Sequence, residues 1–154
     1  MKTAVIYYSH HHGNTKKVLD AIAEQYPDVT LIDAAADPAV ELSDYDLIGF
    51  ASGIYFSQFH NTVLKLAQER LPEGKNVFLL YTCGVNQARY TKAIHDITDL
   101  KGAHMLGVYS CRGYDTFGPW KLLGGIAKGR PSQKDLNGAL EFFQHLRERL
   151  EVNP

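Results

Sequence analysis

Hydrophobic positions along this chain fall into two alternating kinds of segment. Short runs rich in Val, Ile, Leu, Phe and Tyr occur at "TAVIYY" (3–8), "VTLID" (29–33), "YDLIGFAS" (45–52), "NVFLLYT" (76–82) and "HMLGVYSC" (104–111). Each is bounded by turn-forming residues, which predicts five β-strands. The last three are almost continuously apolar, the pattern of parallel strands covered on both faces.

Between these runs the spacing becomes helical. Val18, Leu19, Ile22 and Tyr26 share one helical face, as do Val63, Leu64, Ala67 and Leu71, and then Ala93, Ile94, Ile97 and Leu100. A longer helix is expected over 133–150, with Leu136, Leu140, Phe143 and Leu150 on its apolar face and Ser132 as N-cap after Pro131. The stretch 33–43 carries a weaker pattern interrupted by Pro38 and predicts a turn or a short helix. Strands alternating with helices imply an α/β chain with a parallel sheet, and right-handed crossovers place helices on both of its faces.

Composition narrows the function. A chain of 154 residues, 45% hydrophobic and 21% charged, suits one globular domain over 1–154. Sixteen basic residues against 17 acidic ones leave a net charge of −1, so no global field would draw in nucleic acid or an anionic membrane. No apolar run approaches the roughly 20 residues of a membrane span, and the first run is too short for a signal-peptide core. A cytoplasmic protein is the expectation. Cys83 and Cys111 make neither a disulfide framework nor a zinc cluster.

The unusual segments all follow strands. In an open parallel sheet, ligands bind outside the carboxyl ends of the strands where strand order reverses. Residues 9–15, "SHHHGNT", follow the first strand and lead into a helix, whose first N–H groups and dipole favour an anion. Ser9 and Thr15 supply hydroxyls, Asn14 an amide, and Gly13 lets the backbone approach closely. This is a phosphate cradle without a lysine. It lacks both the Gly-Lys-Ser/Thr of a nucleotide triphosphatase and the G-x-G-x-x-G of a dinucleotide site.

Three consecutive histidines also suggest a metal. Adjacent side chains in an extended loop point apart, however, and no neighbouring cysteine or carboxylate completes a ligand set. His10, His11 and His12 are better read as hydrogen-bond donors to an anion, His12 foremost because it adjoins Gly13. Solvated loop histidines are the plain alternative for each.

The Ser9 loop with its Gly13-Asn14-Thr15 ending resembles the phosphate loop of flavodoxins, and five alternating strand and helix units fit that family along nearly the whole chain. The segment "GYDTFGPWKLLGGIAKGRPSQKDL" resembles the ending of a bacterial flavodoxin subgroup. The resemblance implies a doubly wound five-stranded sheet of order 2-1-3-4-5 with helices on both faces, and FMN as cofactor. It places the phosphate on 9–15, the isoalloxazine against the loop carrying Ser52, Gly53, Ile54, Tyr55 and Phe56, and the pyrimidine edge on the backbone of Thr82, Cys83 and Gly84. It also implies that the long loop 112–130 shapes the site through Tyr114, Asp115 or Trp120, although an aromatic, glycine-rich loop serves equally as a lid packed on the domain itself. Phe59 and His60 are expected to begin the next helix.

The implied function is electron transfer to or from a redox partner protein. The alternatives are an FMN-dependent reductase or oxidase acting on a quinone, protoporphyrinogen or another small electron acceptor, and a domain that has kept the fold without the flavin. Two features depart from the carrier pattern. The chain is nearly neutral where carriers are usually acidic, and Phe56-Ser57 lacks the glycine usual beside the stacking aromatic, so positive φ is expected to be disfavoured there. In the implied strand order Cys83 and Cys111 end neighbouring strands. A redox disulfide between them is one reading; buried structural thiols are the commoner one.

Overall fold

The computed structural model describes residues 1–10, 12–114 and 124–153. The elements run β1 (Thr3–Tyr8), α1 (Asn14–Gln25), β2 (Val29–Asp33), β3 (Leu47–Tyr55), β4 (Gln58–Phe59), α2 (Asn61–Arg70), β5 (Asn76–Cys83), a 3-10 turn (Ala88–Thr91), α3 (Lys92–Leu100), β6 (His104–Arg112) and α4 (Gln133–Val152). Among the described residues the sheet order is β2-β1-β3-β5-β6, all parallel, with the short β4 antiparallel to β3. Leaving β4 aside, this is the doubly wound order 2-1-3-4-5 that the resemblance implied.

Strand alternation divides the core between the two faces of the sheet. Ala4, Ile6, Ile48, Phe50, Leu79 and Tyr81 pack with Val63, Leu66 and Ala67 of α2 and Ile94 of α3. Val5, Leu47, Ala51, Phe78 and Leu80 face the other way, onto Val18, Leu19 and Ile22 of α1 and Ala139, Phe143 and Leu146 of α4. Each fully buried Leu, Ile or Phe contributes about 1.5–3 kcal/mol, so both layers are needed. Gly49 makes room for the Phe78 ring, which a Cβ at that position would overlap.

The stretch 33–43 forms turns, one of the two forms expected for it, opened by the Asp33 carboxylate accepting from the Ala35 N–H at 2.9 Å. Other local expectations need correction. Phe59 does not begin a helix; it ends the β3–β4 hairpin and is fully buried, while His60 caps α2 by accepting from the Thr62 N–H. Leu100 is 88% exposed, since α3 ends there and turns out of the layer. The hairpin is closed by Phe56 and Ser57, with φ of 50° and 64°. A two-residue hairpin that follows the sheet twist requires positive φ at both central residues, and that requirement outweighs the Cβ penalty. At the far end Ser132 caps α4 as expected, in a capping box with Asp135.

No helix among the described residues is long and apolar enough to cross a membrane.

Candidate functional site

The carboxyl ends of β1, β3, β5 and β6 converge on one cavity of about 670 Å³. Four loops line it. The first contributes Ser9, Asn14 and Thr15; the hairpin contributes Gly53, Ile54, Tyr55, Phe56 and Ser57. The loop after β5 contributes Thr82, Cys83, Gly84, Val85, Gln87 and Tyr90, and the end of β6 contributes Gly113 and Tyr114. Among the described residues none of these carries a formal charge.

The first loop leaves backbone donors at a helix start. His12 and Gly13 both adopt left-handed backbone, φ 57° and 64°, which turns the chain directly into α1. Ser9 Oγ accepts from the Lys16 N–H at 3.0 Å, so the side chain just past the strand ties down the first helical turn. Among the described residues its own O–H donates to no acceptor. Among the described residues the N–H groups of Gly13, Asn14 and Thr15 donate to no acceptor. A helix start that lines a cavity with such donors is suited to a phosphate or carboxylate. The nearby lysines are committed elsewhere: Lys16 pairs with Asp20, and Lys17 Nζ donates to the Pro131 carbonyl at 2.9 Å.

The loops are bonded to each other. Thr15 Oγ1 lies 2.9 Å from Thr82 Oγ1, both side chains buried, joining the first loop to β5. Asn14 Nδ2 donates to the Tyr114 carbonyl at 2.8 Å, and the Gly113 N–H donates to the Cys83 carbonyl at 3.0 Å. Gly113 is required by close approach, because a Cβ there would lie 2.5 Å from the Asn14 amide nitrogen. Tyr114 is held in turn, its N–H on the Arg130 carbonyl and its hydroxyl on the Gly124 carbonyl.

Of the residues expected from sequence, Ser9, Asn14, Thr15, Gly53, Ile54, Tyr55, Phe56, Thr82, Cys83, Gly84 and Tyr114 line the cavity. Phe56 stands at the rim, 91% exposed. Ser52 is buried behind the wall, accepting from the His60 N–H at 3.0 Å. Gly13 shapes the turn, and His12 reaches the wall through its ring, 4.6 Å from that of Tyr114. His10 is turned toward β2, with Nε2 3.5 Å from Asp33 Oδ2 and its ring 4.4 Å from that of Tyr8. His11, Asp115 and Trp120 lie outside the described residues.

Sequence reasoning named Ser57 only for its backbone beside Phe56 and did not single out Val85, Gln87, Tyr90 or Gly113. The run "VNQARY" after Gly84 has no motif, and only the turn after β5 brings it over the cavity. Gly113 offered a signal, a glycine directly past a strand end.

The cysteines end on opposite faces. Thr82 is the register partner of Cys111, so Cys83 belongs to the layer of α2 and α3 while Cys111 belongs to that of α1 and α4. Side chains pointing to opposite faces cannot be bridged without backbone movement, which removes the redox-disulfide reading. Burial, then the nearby Asp135 carboxylate and Cys83, push the Cys111 thiol up to about 12.

Residues 5–105 match the family model described as a flavodoxin domain. The chain belongs to the flavodoxin family. It is 37% identical to an uncharacterised protein of Methanocaldococcus jannaschii over 95% of this chain and 98% of that one. Among solved structures it resembles a flavodoxin from the domain Archaea, with TM-score 0.66, 18% identity and coverage of 98% and 99% of the two chains. It also resembles a flavoprotein of Lactobacillus acidophilus in complex with FMN, with TM-score 0.55, 20% identity and coverage of 71% and 92%. These flavodoxin-like neighbours share the fold of this chain. The family match ends at residue 105, so Gly113, Tyr114 and the loop beyond them lie outside it.

Proposed function

We propose that this flavodoxin-family chain binds FMN and passes electrons between the flavin and a redox partner. The observation that carries the reading is the set of N–H groups at Gly13, Asn14 and Thr15, with the Ser9 hydroxyl, at the same cavity as the aromatic hairpin. One end suits a phosphate and the rest suits a planar ring. In this reading the first loop holds the phosphate, Tyr55 and Phe56 flank the ring, and backbone at 82–84 meets its polar edge. When bound, FMN supplies one- and two-electron chemistry, and the protein sets access and potential.

The chain's own part is to bind and orient. Among the described residues the lining carries no formal charge, which leaves the phosphate to backbone and hydroxyl donors, and the exposed Phe56 marks the rim where a partner would approach. A reductase fits the same cavity; the carrier is preferred because the sequence carries no nicotinamide motif.

The test is a visible spectrum after incubation with excess FMN and removal of free flavin. Flavin bands near one equivalent are expected. The Ser9→Ala variant should bind FMN about tenfold more weakly while riboflavin, which lacks the phosphate, is unaffected. A colourless protein would overturn the reading. Rapid bleaching by NADPH without oxygen would favour the reductase over the carrier.

A further inference from the structure

Arg112, the last residue of β6, is exposed and is not part of the cavity lining. Its Nε donates to the Gly84 carbonyl at 2.9 Å, and Gly84 is in the lining. The carbonyl of Gly84 and the N–H of Val85 belong to one planar peptide and point in opposite directions. Fixing one therefore aims the other. Among the described residues neither the Gly84 nor the Val85 N–H donates to any acceptor, and both residues line the cavity. The preceding peptide is held as well, by the Gly113 N–H on the Cys83 carbonyl.

We propose that Arg112 is a positioning residue for the flavin ring, clamping the Gly84–Val85 peptide so that its N–H serves as a donor to the ring's polar edge, and setting a positive charge behind that peptide. The inference rests on the FMN reading above. A guanidinium donates a charge-assisted hydrogen bond, stronger than a neutral donor's. In a wall whose described residues carry no formal charge, this cation behind the donor peptide favours the form of the ring that carries negative charge at that edge. Two consequences follow from its place at the ring end. Losing Arg112 should weaken FMN and riboflavin equally, and it should lower the flavin midpoint potential.

The experiment compares the full chain with Arg112→Met and Arg112→Lys. Expected are unchanged melting temperatures, about tenfold weaker binding of both FMN and riboflavin in R112M, a lower midpoint potential in R112M, and recovery of most of the affinity and potential in R112K. An R112M protein with parental affinity and potential overturns the inference. So does weaker FMN binding with riboflavin unaffected, which would assign Arg112 to the phosphate. If R112M melts early, R112K decides: parental stability without recovery of potential also overturns it. Failure of the parent to bind either flavin overturns the FMN reading, and this inference with it.

Discussion

The hydroxyls of Thr15 and Thr82 meet at 2.9 Å in the buried wall of the cavity, 67 residues apart in sequence. Either can donate, and together they join the first loop to β5. Replacing one by valine keeps the shape but leaves the other hydroxyl buried without its partner, at a cost of about 1–3 kcal/mol. The pair Thr15→Val with Thr82→Val should cost clearly less than the sum of the single changes. Urea unfolding of the two single variants and the double variant measures the coupling; strict additivity would show that the bond contributes nothing.

Gly113→Ala should loosen both the fold and the site. Its Cβ would meet the Asn14 side chain, whose amide holds the Tyr114 carbonyl. Overpacking of this kind costs about 1–3 kcal/mol. Thermal melting with and without FMN checks it, and an alanine variant as stable as the parent would show that the first loop yields freely.

Ser57→Gly should stabilise the chain by about 1 kcal/mol, because φ is 64° at that position and glycine adopts it without the Cβ penalty. Phe56, also left-handed, keeps its ring in the variant. A lower melting temperature would mean that the hydroxyl of Ser57 contributes more than the backbone penalty.

His60 predicts a pH dependence. Its neutral Nδ1 accepts from the Thr62 N–H at 3.1 Å, its ring stacks on Tyr8 at 3.6 Å, and Tyr55 and His10 complete its surroundings. Burial, then the charge of His10, hold its pKa below the usual histidine value. As pH falls the unfolded chain therefore takes up this proton first, near about 6.5. The contribution of His60 to stability is complete above that pH and is lost as pH falls through the folded pKa. His60→Asn, which keeps a capping side chain without titrating, should flatten the slope of stability against pH below about 6.5. An unchanged slope would place the dependence on other groups.

Cys83 and Cys111 should remain reduced under mild oxidant. Intact-mass measurement after diamide treatment should show no loss of two hydrogens, and Cys111, with its thiol pushed up to about 12, should resist alkylation until the chain unfolds. An 83–111 disulfide in the folded protein would contradict the assignment of the two side chains to opposite faces.

Periodicity along the sequence determined the parallel sheet, the order of its elements and the first loop, because these depend on local spacing and on a helix start directly after a strand. The candidate anion loop was legible for the same reason: Ser9, Gly13, Asn14 and Thr15 lie within seven residues. Tertiary structure decided what depends on distant segments meeting. Phe59 became core because a two-residue hairpin folded β4 back onto β3, and positive φ at Phe56 and Ser57 followed from sheet twist, which local propensity does not contain. The two cysteines were separated by a one-residue difference in register, and a one-residue step along a strand reverses the face. Arg112 and Gly84 are 28 residues apart and were joined only when β6 took its place beside β5.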